Sequence, residues 1–90
     1  MDKRDASVAI EFPCRYPIKV IGVDEPDFVD RVLRIIRQHA PDLASQDVRT
    51  RSSRGERFVA VSVILTAQGE QQLRAINDNL LADANVRMVF

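Results

Sequence analysis

The chain has 90 residues, enough for one two-layer domain around a single core and too few for two cores. Its 46% hydrophobic and 29% charged residues fit an ordinary globular protein. Thirteen basic residues cancel thirteen acidic ones, which argues against a protein whose main task is gripping nucleic acid or an anionic membrane but leaves local patches open.

Residues 1–11, "MDKRDASVAIE", read as a flexible tail. Charges stand at both ends, and the apolar middle is too brief for a signal peptide or a spanning helix. The expectation is a cytoplasmic protein whose single domain occupies residues 12–90. Next comes "FPCRYPIKVIG", Phe12 to Gly22, with the only cysteine, Cys14, and two of the four prolines, Pro13 and Pro17. From Arg15 to Gly22 it is rich in β-formers and predicts the first strand. Pro17 has no N–H for a ladder, so it must lie near the strand's start or at an unpaired position.

The first helix is the clearest element. Asp24 is placed to cap it, and Pro26 suits its first turn. At 100° per residue, Phe28, Val29, Val32, Leu33, Ile35, Ile36 and Ala40 fall within an arc of about 160°. Charged residues fill the rest, acids toward the start and bases toward the end, as the helix dipole prefers. Asp27–Arg31 and Asp30–Arg34 are spaced as i,i+4 pairs, and Pro41 ends the helix. A second strand is predicted from Asp47 to Ser52, followed by a hairpin turn at Ser53 to Glu56 in which Gly55 is free to take positive φ. The third strand, Arg57 to Thr66, alternates cleanly, with Val59, Val61, Val63 and Leu65 on one side and Phe58, Ala60, Ser62 and Ile64 on the other. A second helix runs from about Gly69 to Leu81 on a narrower stripe of Leu73, Ile76 and Leu80. "VRMVF", Val86 to Phe90, closes the chain as the fourth strand.

The order β-α-β-β-α-β predicts an α+β, ferredoxin-like sandwich: four antiparallel strands in spatial order 4-1-3-2, with both helices on one face. The other face would then carry Lys19, Ile21, Arg49, Arg51, Phe58, Ala60, Ser62, Ile64, Arg87 and Val89, with no helix left to cover it.

"FPCRYPIKVIG", the "HAPD" that ends the first helix, "RSSRGERFVAVSVILTA" and the closing "VRMVF" resemble the YbeD-like family of small bacterial proteins. The resemblance spans about Phe12 to Phe90. It implies a βαββαβ fold similar to regulatory ACT-like domains and residence in a bacterial cytoplasm. It further suggests a regulatory role connected with lipoate metabolism, and it supplies no catalytic residues.

Four candidate sites follow from the residues themselves. The first helix is about as long as the first strand, roughly 24 Å against 23 Å, so it returns His39 and Asp42 toward the end where Cys14 stands. A Cys–His–Asp grouping is then geometrically open, but His39 falls inside the apolar arc, as a packed or carbonyl-bonded histidine would. No catalytic residue is assigned, and the protein is expected not to be an enzyme. With one Cys and one His, no metal site or cofactor is implied either. "RGERFVAV", Arg54 to Val61, partly overlays an RNA-recognition pattern, yet Glu56 and Val61 stand where stacking rings belong, so nucleic acid is set aside. Gly22, Asp24, Glu25 and Pro26 resemble the loop where ACT domains bind small ligands and form the alternative site, although carboxylates already crowd that helix start. The favoured site is the uncovered sheet face: Lys19, Ile21, Arg49, Arg51, Phe58, Ser62, Ile64 and Arg87. Apolar anchors among arginines there suit a protein partner, a second copy of the chain included.

Overall fold

The computed structural model describes residues 11–52 and 57–90. The turn expected at Ser53 to Glu56, and all of the expected tail but Glu11, lie outside the described residues. The elements in chain order are β1 (Cys14–Val23), α1 (Phe28–His39), a single 3-10 turn (Ser45–Asp47), β2 (Val48–Ser52), β3 (Phe58–Ala67), α2 (Glu70–Leu81) and β4 (Val86–Val89). The strands form one antiparallel sheet in the order β2-β3-β1-β4. That is the predicted ferredoxin-like arrangement.

The sheet is organised by the long pairing of β1 with β3, which runs from Cys14 opposite Ala67 to Val23 opposite Phe58. Its register places Ile18 and Val20 across from Val63 and Val61, all four buried on the helix side. Phe28, Val32 and Ile36 of α1 and Ile76 and Leu80 of α2 close over them, each fully buried. Each such side chain contributes roughly 1.5–3 kcal/mol by leaving water, which makes this layer the main source of stability.

The start of α1 differs from the expectation. Asp27, not Asp24, stands at the N-cap position, and its side chain makes no capping hydrogen bond. The reason is tertiary. Val23 N still donates to Asn85 O at 2.9 Å and Asp24 N to Arg57 O at 2.6 Å, so the sheet holds the chain through Asp24. Only then does it turn, with Phe28 N donating to Glu25 O at 3.0 Å. Asp27 pairs with Arg31 as predicted, at 2.9 Å, whereas Asp30 and Arg34 form no ion pair among the described residues.

The second correction concerns β4. Val20 faces Val89 and Ile21 faces Met88, but Gly22 faces Val86, so the register shifts by one residue between Ile21 and Gly22. Val89 therefore packs against the core from the helix side instead of lying on the open face, and Met88 takes the place opposite Ile21. Arg87 falls within the shift and is exposed, its Nη1 donating to Ala84 O at 2.7 Å.

Pro17 lies where it costs no ladder bond. Lys19 and Phe90 exchange N–H···O bonds of 3.3 and 2.8 Å, so the polar backbone groups of Lys19 point toward β4. By alternation those of Pro17 point the same way, beyond Phe90, where among the described residues no strand pairs with β1. The missing N–H therefore faces no partner strand among the described residues.

Candidate functional site

With both helices on one side, the other side of the sheet presents side chains set by register alone. Along β3 they are Phe58, Ala60, Ser62, Ile64 and Thr66. β1 adds Arg15, Pro17, Lys19 and Ile21, and β2 adds Arg49 opposite Ser62 and Arg51 opposite Ala60. Seven of the eight residues expected on this face (Lys19, Ile21, Arg49, Arg51, Phe58, Ser62, Ile64) are thus brought together on it. The eighth, Arg87, stands in the bulge.

Large apolar side chains are unusually exposed here. Phe58 is 39% exposed, Ile64 43% and Met88 49%, and Phe90, hydrogen-bonded to Lys19, stands at the rim at 62%. Sequence reasoning missed Met88, because unbroken alternation from the buried Val86 turns Arg87 and Val89 outward and does not reveal the bulge. Arg15 was missed as well. It reaches across β3, donating Nη1 to Thr66 Oγ1 at 3.3 Å and pairing with Asp47 at 2.9 Å. Asp47 thereby neutralises one corner of the face.

Cys14 and His39 do lie at the same end of the molecule, but the chemistry is not assembled. Gln72 Oε1 accepts the Gln68 N–H at 2.6 Å while its Nε2 donates to His39 O at 2.7 Å, clamping the end of α1 to the start of α2. The His39 ring turns to α2 instead, with Asn79 Nδ2 donating to Nε2 at 2.7 Å. Cys14 is half-buried against the core, opposite Ala67. Among the described residues no three of His, Cys, Asp and Glu gather as a metal site would require. No helix there is long and apolar enough to cross a membrane.

In the alternative loop, Asp24, Glu25 and Pro26 are exposed and Gly22 is buried. The space beside Gly22 is already filled. A Cβ there would collide with Phe28 Cζ and stand 2.5 Å from Asn85 O. Asp24 accepts a hydrogen bond from Ser52 Oγ at 3.4 Å, which ties the loop to the end of β2.

Residues 8–90 match the family model described as "Protein of unknown function (DUF493)". The chain belongs to this family. Its relatives include the UPF0250 protein of Azotobacter vinelandii, 53% identical over 82 residues that cover 90% of this chain and 89% of the relative. The UPF0250 protein of Pseudomonas paraeruginosa is 51% identical, covering 90% and 88%. These are the YbeD-like proteins that the sequence segments resemble. Among solved structures, the ACT domain from the GTP pyrophosphokinase of Chlorobium tepidum aligns with a TM-score of 0.65 at 14% identity, covering 82% of this chain and 80% of that one. An uncharacterized protein of Thermotoga maritima aligns equally well, with a TM-score of 0.65 at 14% identity and coverage of 84% and 92%. At such identity the likeness carries the fold alone. The DUF493 chain is ACT-like in architecture.

Proposed function

We propose that the protein is a small regulatory or adaptor module with no catalysis of its own, acting by contact between its open sheet face and an acidic protein surface. The observation that carries this reading is the exposure of Phe58, Ile64 and Met88 on the side of the sheet that, among the described residues, carries no helix. Lys19, Arg49 and Arg51 stand between these apolar groups, so the face offers apolar anchors interleaved with basic side chains. These basic side chains select acidic partners and speed their encounter. The family resemblance adds an expected setting in the bacterial cytoplasm and a connection with lipoate metabolism.

The test is affinity capture from a host lysate with the parent chain, Phe58→Ala and Arg51→Glu. Both substitutions are at exposed positions, so the fold should survive them. A specific partner held by the parent should be lost from both variants. Recovery of every partner by both would remove the face from consideration.

The ACT-like fold favours a second reading, a small-metabolite sensor at Gly22, Asp24, Glu25 and Pro26. Phe28 fills the inner side of that loop, which ranks this reading below the first. A thermal-shift screen of metabolites separates the two, because a ligand bound only to the native state raises its melting temperature.

A further inference from the structure

On the open side of β3 two small residues, Ala60 and Ser62, lie between two large ones, Phe58 and Ile64. Lys19 stands opposite Ser62 on one flank and Arg49 on the other, while Ala60 lies between Ile21 and Arg51. The small floor among long walls makes a shallow bowl of about 500 Å³, lined by Lys19, Arg49, Thr50, Arg51, Ala60 and Ser62. Strand spacing puts the Cα atoms of Lys19 and Arg49 about 10 Å apart, and those of Arg49 and Arg51 about 7 Å apart. All three side chains are long enough to reach one group held between them.

Arg15 is paired with Asp47, Arg31 with Asp27 and Asp83, and Arg74 with Glu70. Among the described residues no carboxylate lies within 4.0 Å of Lys19, Arg49 or Arg51. Arg34, Arg37, Arg57 and Arg87 also have no carboxylate within 4.0 Å among the described residues, and what sets Lys19, Arg49 and Arg51 apart is that the register gathers them around one floor. Three like charges around a polar floor repel one another, and an anion seated between them would relieve the repulsion.

We propose that this bowl binds a small polyanion carrying two or more phosphate groups. The planar forks of Arg49 and Arg51 suit phosphate oxygens two at a time, Lys19 adds a compact charge from the opposite wall, and Ser62 Oγ donates from the floor. The site needs no protein partner, so it stands or fails separately from the contact role of the same face. When both operate, the bound anion reverses the charge that an acidic partner meets.

The experiment is titration of the full chain with sodium tripolyphosphate at near-physiological salt, followed by calorimetry and by amide chemical shifts. The expected result is saturable one-to-one binding with shifts centred on Lys19, Arg49, Arg51, Ala60 and Ser62. Replacing Arg49 and Arg51 together by Gln should weaken binding at least about tenfold. Replacing Arg34 and Arg74 together by Gln, which removes the same charge elsewhere, should change it by less than about twofold. Ser62→Leu keeps every charge but fills the floor, and it should abolish binding. Equal losses in the two double variants, undiminished binding by Ser62→Leu, or the absence of saturable shifts would each overturn the proposal. Inorganic phosphate and citrate run in parallel separate a polyphosphate site from one that accepts any anion. Binding of citrate as tight as that of tripolyphosphate would also overturn it.

Discussion

Arg31 of α1 grips Asp83, 52 residues further along, with two prongs: Nε to Oδ2 at 2.6 Å and Nη2 to Oδ1 at 3.2 Å. Its Nη1 also donates to Asp27 at 2.9 Å, and the guanidinium lies 5.7 Å from the centroid of the Phe28 ring. Asp83 Oδ1 accepts the Asn85 N–H at 2.9 Å, so the bridge fixes α1 to the turn between α2 and β4. The Arg31 hydrogen bond, opposed by burial and helped by the Asn85 N–H, holds the Asp83 carboxyl below its ordinary value of 3.8. The Asp83 hydrogen bond, then that of Asp27, in turn raises the Arg31 pKa.

The sign of the pH effect follows. Above 3.8 the carboxyl is ionised in both folded and unfolded chains, and the bridge contributes fully. As the pH falls, the unfolded chain takes up its proton first, so stability is lost as the pH drops through the depressed folded value. Asp83→Asn should therefore lower the melting temperature by several degrees at neutral pH. The gap between variant and parent should close progressively below pH 3.8. Thermal melts across that range check it, and a gap that stays constant would deny the carboxylate this role.

Most of the architecture was legible because two periodicities carry it. Alternation along β3 separates Val59, Val61, Val63 and Leu65 from Phe58, Ala60, Ser62 and Ile64, and burial follows that division. The same alternation placed Lys19, Arg49, Arg51 and Ser62 together. What escaped depends on contacts between distant segments. Asp24 has the chemistry of a cap, but its N–H is taken by Arg57, a partner no local pattern reveals. The β4 bulge likewise leaves no trace in "VRMVF", so the sequence puts Val89 on the open face where Met88 stands instead.

At Gly22 the backbone of β1 lies against Phe28 of α1 and Asn85 of the turn before β4. A Cβ on it would strike Phe28 Cζ, lie 2.8 Å from Cε1 and sit 2.5 Å from Asn85 O. Phe28 is fully buried, so its ring has little freedom to yield. Gly22→Ala should cost about 1–3 kcal/mol, the usual range for forcing extra volume into a packed core. Urea denaturation reads this directly. Combining it with Phe28→Leu should cost less than the sum of the two single changes, since a smaller residue frees the space the methyl needs. Strict additivity would place the strain elsewhere.

Pro17 lies in the part of β1 whose β4 side has no partner strand among the described residues. An edge with free N–H and C=O groups invites another strand, and proline withholds the donor. Pro17→Val supplies that donor on a residue that favours strands, while its partner Ile64 across the sheet is unaffected. The fold should hold, and size-exclusion chromatography with light scattering should show concentration-dependent self-association that the parent lacks. A variant with the parent's mass at all concentrations would show that the edge needs no guard.

Phe58 and Val59 are adjacent in sequence and opposite in consequence. Val59 is 2% exposed in the core, whereas Phe58 is 39% exposed on the face that no helix covers among the described residues. Val59→Ser removes apolar contacts and buries a hydroxyl, and should cost about 2–4 kcal/mol. Phe58→Ser returns ring surface to a site already half in water, and should change stability by no more than about 1 kcal/mol. A stable Phe58→Ser variant that loses its partner would assign the ring to contact. One that unfolds as readily as Val59→Ser would make Phe58 part of the fold's own support and withdraw it from the proposed surface. Denaturation of both variants beside the affinity capture decides between these outcomes.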